Sequence, residues 1–368
     1  MQIHSKLERK LNLRKENNSY RELVQSDRSD LIDFSSNDYL GFSNNTFEYD
    51  SLKKGATGSR LITGNYSKIE KLEKSIASFH KAESSLFFNS GYTANLGLFS
   101  TLPQRGDRVI YDESIHASIR DGIRLSNANS YSFKHNSVLD LERLLSKNTM
   151  TSYVVVESVY SMGGDSPNLE EISAVCTQYG AYLIVDEAHS FGLIGYQGKG
   201  LINHLNLEEK IFARVVTFGK ALGTHGAVIL GSESLRNFLI NFCRPFIYTT
   251  GSSPLEIETI SKQYDNLIDS DDRRSILFQN KNLFLSKLNK NIPIITGKYS
   301  AIVSIIIGDN NKTKNSASHL QEQGFDIRPI LSPTIVSGKE CLRICFHSFN
   351  TENEVLKLAQ LINENNES

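Results

Sequence analysis

Six short apolar runs separated by helical stretches set the limits on what this chain can fold into. They are Ser85–Phe88, Arg108–Tyr111, Tyr153–Glu157, Tyr182–Asp186, Arg214–Phe218 and Ala227–Gly231. Strands that are apolar on both faces need cover on both faces, and intervening helices supply it. The pattern therefore predicts an α/β fold built on a mostly parallel central sheet. Ile69–Phe79 reads as one covering helix, with Leu72, Ile76 and Phe79 on a single face, and Leu169–Tyr179 as another.

At 368 residues the chain can hold one large domain and a smaller one. Residues 1–45 form a charged arm with a weak helical stripe, 46–260 the large α/β domain, and 261–368 a smaller α+β domain. Within the last, strands are expected near Ser300–Ile307 and Leu342–Phe346, with a closing amphipathic helix from Glu352. No repeat or low-complexity linker interrupts the order.

A net charge of −1 gives no reason to expect nucleic acid or an anionic membrane as partner. The longest apolar runs, such as Ala301 to Ile307, have strand length and fall short of a membrane span. The N-terminal stretch lacks the apolar core of a secretion signal. The four cysteines form no C-x-x-C pair, which favours a reduced, cytoplasmic setting and buried thiols.

Chemistry-bearing residues gather just after the predicted strands. Asn89-Ser90-Gly91-Tyr92-Thr93-Ala94-Asn95 is a glycine turn leading into a helix, and its free N–H groups can seat a phosphate or form a plain N-cap. Tyr92 can cover part of a bound group. After Val109-Ile110-Tyr111 comes His116, at a strand end that faces the ligand crevice of such sheets. Its imidazole can stack on an aromatic ring and reach a substrate, or it can be structural. The run Glu157-Ser158-Val159-Tyr160-Ser161-Met162-Gly163-Gly164-Asp165 combines small polar residues with a tight glycine turn. Asp186-Glu187-Ala188-His189 looks like the acidic box of helicases, but that reading needs an upstream G-x-x-x-x-G-K-[ST] loop and none exists.

The last of these runs is Thr217-Phe218-Gly219-Lys220-Ala221-Leu222-Gly223. A lysine enclosed by small residues can lose its proton by desolvation and form a Schiff base with a carbonyl. Alone, Lys220 would read as a loop lysine. Asp186, 34 positions earlier at another strand end, can hold a protonated pyridine nitrogen. An imine-forming amine and a fixed anion opposite the ring are what pyridoxal 5′-phosphate (PLP) asks of a protein. Thr217 can then bind the phosphate, and His189 can donate to the phenolic oxygen.

In order, spacing and flanking text, these runs resemble the α-oxoamine synthases, fold-type I PLP enzymes that condense an amino acid with an acyl thioester and release CO2. The likeness extends from Phe34 to Phe349. Phe34-Ser35-Ser36-Asn37-Asp38-Tyr39-Leu40-Gly41, Gly55-Ala56-Thr57-Gly58-Ser59-Arg60 and Val216-Thr217-Phe218-Gly219-Lys220 are most similar to one branch. That branch joins L-alanine to a pimeloyl thioester, on coenzyme A or a carrier protein, in biotin synthesis. Sibling branches, of the 2-amino-3-oxobutyrate ligase and serine-using long-chain types, share the same core residues.

The resemblance implies Lys220 as the imine lysine, Asp186 as the pyridinium partner, His116 on the ring and His189 on its phenolic oxygen. Gly91, Tyr92, Ser161 and Thr217 would hold the cofactor and its phosphate. Arg14 and Asn37 would meet the acyl substrate. Arg328 and Arg343 are the candidates for the amino-acid carboxylate, with Arg343 favoured. The run Arg328-Pro329-Ile330-Leu331-Ser332-Pro333-Thr334 is three residues longer than the family's R-P-P-T-V-P pattern. Thr334 is the substrate-side candidate within it. Ile247-Tyr248-Thr249-Thr250 matches a segment that reaches the neighbouring subunit's phosphate, which implies a homodimer with shared active sites. No residue here is read as a metal ligand.

Overall fold

The computed structural model describes residues 2–23, 30–49, 52–147 and 150–367. A two-residue strand, β1 (Ile32–Asp33), precedes the central sheet, whose strands in chain order are β2 (Ser84–Phe88), β3 (Arg108–Asp112), β4 (Asn129–Phe133), β5 (Ser152–Glu157), β6 (Tyr182–Asp186), β7 (Ala213–Thr217) and β8 (Ala227–Gly231). Their spatial order is β2-β8-β7-β6-β5-β3-β4. Only β8 runs against the others, pairing antiparallel with β2 and β7.

Alternation along the strands explains the two-sided cover. Val154, Val156, Val185 and Val216 point into one apolar core, while Tyr153, Val155, Ile184 and Val215 point into a second across the sheet. Helices α1 (Gln2–Glu16), α2 (Ser67–Phe79), α3 (Gly91–Thr101) and α4 (Ala117–Leu125) come early in the chain. Of these, α2 lays Ile69, Leu72 and Ile76 into the first core, and α3 and α4 cover the second with Leu98, Phe99, Ile119 and Ile123. β4 answers to no predicted run. Its sequence Asn129-Ser130-Tyr131-Ser132-Phe133 is exposed at four positions of five, as an edge strand allows, so it carries no apolar signature.

The remaining strands are β9 (Ile294–Thr296), β10 (Ile302–Ile306), β11 (Phe325–Asp326), β12 (Arg328–Ile330) and β13 (Cys341–Cys345). They form a four-stranded sheet ordered β12-β13-β10-β9, while β11 pairs with β1 of the arm. Val303, Ile305, Leu342 and Ile344 build a third core there with Phe34 and Phe346. The alternate positions Ser304 and Arg343, which are register partners, use the opposite face. The chain closes with the helix Glu352–Glu367. No helix among the described residues is long and apolar enough to cross a membrane.

Because β2, β3, β5, β6 and β7 all run the same way, their carboxyl ends share one edge of the sheet. Antiparallel β8 returns directly from β7, and the connecting turn carries Lys220. Gly223 in that turn has φ of +61°, and a Cβ there would lie 2.3 Å from the Ser43 backbone nitrogen. Only glycine lets the turn tuck beneath the N-terminal arm.

Candidate active site

A cleft of about 270 Å³, the size of a small-ligand site, opens at that edge. Gly91, Tyr92, His116, Asp186, His189, Thr217 and Lys220 all line it, joined by Asn95, Glu157 and His225. Parallel strand direction, rather than nearness in sequence, assembles these residues.

The turn after β2 forms one wall. Ser90 Oγ accepts from Thr93 N (3.1 Å), and Thr93 Oγ1 accepts from Ser90 N (3.0 Å), a reciprocal cap that orders the start of α3. Gly91 lies so close to β7 that a Cβ would sit 2.4 Å from Thr217 Cγ2. The Thr217 hydroxyl beside it is buried and has no hydrogen-bond partner. An orphaned hydroxyl next to the free N–H groups of a helix start is what a bound anion would satisfy. Gly91→Val should weaken binding of PLP by about tenfold or more, because the added methyls displace Thr217. Equilibrium dialysis of the cofactor checks this, and unchanged affinity would contradict it.

At the end of β6, Asp186 is 5% exposed and doubly held. Its Oδ2 accepts from Asn95 Nδ2 at 2.8 Å and its Oδ1 from Ala188 N at 2.9 Å. Asn95 lies one turn into α3 and also donates to Ser118 Oγ (3.1 Å). His116 caps α4: its Nδ1 accepts from Ser118 N (3.2 Å), which leaves the ring proton on Nε2. Burial lowers the pKa of His116, so its ring is neutral. Its own N–H donates to Glu157 Oε1 at 2.5 Å.

Burial, with Lys220 and Arg343 nearby, drives the His189 pKa far below the usual range. Its Nδ1 lies 2.8 Å from Tyr39 Oη. That contact holds the His189 ring in place at the edge of the cleft. Lys220 leaves part of its surface open to the cleft while protein atoms crowd it on its other sides. Burial lowers its amine below the ordinary 10.5 and prevails over the opposing pull of Asp186 and Glu157.

Beyond the cleft lining, Arg343 crosses from β13 to the large sheet, donating to Ser161 O (2.6 Å) and to Asn37 Oδ1 (3.0 Å). Ser161 thus reaches the site through its carbonyl, and Asn37 through Arg343 and the Tyr39 hydroxyl (3.1 Å). Asn89 Nδ2 donates to Thr249 Oγ1 (3.3 Å) and Thr250 O (2.9 Å), tying that segment to the turn after β2. Three candidates lie elsewhere. Arg328 pairs with Asp326 (2.6 Å), and exposed Thr334 accepts from Arg21 rather than Arg14 (2.8 Å). Arg14 lines a separate, larger cavity between α1 and the Ser332–Pro333 turn. Asn95, Glu157 and Tyr39 were not singled out by sequence reasoning, although each stands inside a run that was.

Fold and cleft together define a fold-type I PLP-dependent transferase. The family model for aminotransferase class I and II matches residues 29–362, and the chain belongs to that family. It is 38% identical to an 8-amino-7-oxononanoate synthase of Emericella nidulans, over 91% of this chain and 89% of that protein. An 8-amino-7-oxononanoate synthase structure from Francisella tularensis matches with a TM-score of 0.78 and 31% identity, over 92% of this chain and 98% of the other. A serine palmitoyltransferase variant from S. paucimobilis with bound PLP and myriocin matches with a TM-score of 0.86 and 28% identity, over 92% and 87%. The chain is thus a PLP-dependent acyltransferase like the 8-amino-7-oxononanoate synthases.

Proposed function

We propose that the protein condenses L-alanine with a pimeloyl thioester to give 8-amino-7-oxononanoate, CO2 and free thiol, a step of biotin biosynthesis. The observation that carries this reading is the 38% identity to an 8-amino-7-oxononanoate synthase over most of both chains. It is joined to a cleft in which Lys220, Asp186, His116 and His189 converge.

The residues present fit PLP. The start of α3 and the orphaned Thr217 hydroxyl would hold its phosphate, Asp186 its ring nitrogen, His116 one ring face and His189 its phenolic oxygen. When bound, PLP supplies an electron sink that stabilises negative charge at the amino acid's Cα. Lys220, whose desolvation favours loss of its proton, takes the Cα proton of alanine on Nζ and later returns one. Arg343, already poised by Ser161 O and Asn37 Oδ1, holds the alanine carboxylate. His116 Nε2–H polarises the thioester carbonyl and assists loss of CO2. We assign Asn37 to the acyl side, and Thr249 and Thr250 to the phosphate of a partner subunit in a homodimer that shares its sites; Arg14, in its separate cavity, is given no part in the site. Either coenzyme A or a carrier protein can deliver the acyl group. A reduced, cytoplasmic setting suits the four buried free thiols.

A second reading, condensation of serine with a long-chain acyl thioester, draws support from the likeness to serine palmitoyltransferase. The test is to supply alanine, glycine or serine in turn, each with pimeloyl-, acetyl- or palmitoyl-CoA, and to follow thiol release. Alanine with pimeloyl-CoA should give the fastest release. Preference for serine with palmitoyl-CoA would overturn the first reading in favour of the second.

A further inference from the structure

Tyr39 carries a buried hydroxyl that none of the steps above uses. The residue is 1% exposed, belongs to the first apolar core and lies beside the His347 ring, with centroids 6.5 Å apart. It stands in the N-terminal arm, which backbone hydrogen bonds strap beside β13. Cys345 N, at the end of that strand, donates to Phe34 O (2.8 Å), and Ser348 N donates to Tyr39 O (2.9 Å). The ring and the backbone therefore keep their place without the hydroxyl. A hydroxyl buried among apolar groups is costly unless it has partners. That of Tyr39 has two, in different parts of the molecule: it donates to Asn37 Oδ1 at 3.1 Å, and it lies 2.8 Å from His189 Nδ1.

Each partner leads to one side of the proposed site. His189 follows β6 of the central sheet and lines the cleft. Asn37 Oδ1 also accepts from Arg343 Nη2 at 3.0 Å, and Arg343 comes from β13 of the small sheet. One amide oxygen thus receives both the hydroxyl and the guanidinium. The chain separates Tyr39 from His189 by 150 positions and Asn37 from Arg343 by 306. We propose that Tyr39 is a positioning residue whose hydroxyl ties His189, on the cofactor side, to Asn37 and through it Arg343, on the amino-acid side. This rests on the amino-acid half of the reading above and is independent of the acyl chain.

Phenylalanine at this position removes the hydroxyl and keeps the ring, so the core packing and the backbone straps persist. His189 Nδ1 then loses its Tyr39 contact in a buried place, and Asn37 Oδ1 keeps Arg343 but not the hydroxyl. A buried polar group left without a partner costs more than the lost bond alone, and it relieves that cost by shifting. Both ends of the tie should therefore loosen together. Removing Asn37 instead cuts the tie on the amino-acid side and leaves the His189 contact in place.

The experiment compares wild type, Tyr39→Phe, Asn37→Ala and the double variant. PLP affinity is read by equilibrium dialysis. Alanine is titrated into the PLP-loaded enzyme with no thioester present and followed by the cofactor's absorbance. Tyr39→Phe should weaken PLP by about threefold or more and alanine by about tenfold, the scale of one lost buried hydrogen bond. In the Asn37→Ala background the Tyr39→Phe effect on alanine should shrink to below about twofold, because the two side chains act through one link. Its effect on PLP should persist there. Unchanged alanine or PLP affinity in Tyr39→Phe, or alanine factors that multiply in the double variant as for independent sites, overturns the proposal. Thermal unfolding is measured alongside, and a Tyr39→Phe protein that no longer folds also counts against it, since the hydroxyl would then serve the fold. If wild type itself binds no alanine, the proposed function fails and this inference with it. If wild type binds alanine and only the comparison of variants fails, the inference alone falls.

Discussion

Lys220→Ala should abolish the absorbance of lysine-linked cofactor and lower turnover by about 10²–10⁴-fold, the usual worth of a positioned proton-transfer group. The effect starts from burial. An amine taken out of water loses its proton more easily, and Lys220 stays depressed although two acidic side chains oppose the shift. The neutral fraction of the amine therefore grows as pH rises through a range lower than that of an ordinary lysine. The rate of Cα proton removal should rise over that same lower range. Arginine at this position would keep a permanent charge and could not act as the base. A Lys220→Ala enzyme with an intact absorbance band and full turnover would refute the assignment.

The largest expected effect on stability lies one residue beyond Asp186. Glu187 is fully buried, and Arg214 on β7 is 4% exposed and donates Nε to Glu187 Oε2 at 2.6 Å. The guanidinium also donates to His80 O (3.0 Å) and Asn203 Oδ1 (2.9 Å). Removing one partner of such a pair strands the other charge in the interior, which costs about 3–5 kcal/mol. Arg214→Leu should destabilise the protein by that amount in urea unfolding. The double variant Glu187→Leu/Arg214→Leu should recover only part of it, because Glu187 Oε1 also accepts from Ile202 N at 3.0 Å. A single variant as stable as wild type would show that the pair is not the anchor of this strand end. Because Glu187 directly follows Asp186, loosening it should also blur the position of the carboxylate in the cleft.

Much of the fold was legible. The predicted strand Tyr182–Asp186 is β6 residue for residue, and Ala227–Gly231 is β8, because buried strands must be apolar and their turns must be small or polar. Where the signal fades, the physical cause is exposure. β4 is an edge strand of polar residues, and nothing in Asn129-Ser130-Tyr131-Ser132-Phe133 demands burial. The antiparallel turn of β8 also has no local signature, since a strand's direction depends on its neighbours rather than its own side chains.

Within the candidate site the same division holds. The strand-end turns with Gly91, His116, Asp186 and Thr217-Phe218-Gly219-Lys220 stand out in the sequence because each needs a residue type that is costly or unusual there. Asn95 looks like any polar helix residue until α3 packs across the sheet and its amide meets Asp186. Arg328 and Arg343 are register partners on neighbouring strands, equivalent in sequence terms. One ends on Asp326 and the other reaches Ser161 and Asn37. The sequence by itself determined the α/β class and the strand ends, and marked Lys220 and Asp186 as candidates at two of them, because burial and turn chemistry act locally. Only the tertiary structure decided which side chains support them. The strand order β7-β6-β5-β3 and the crossing of Arg343 from the small sheet bring together residues that chain separation keeps apart.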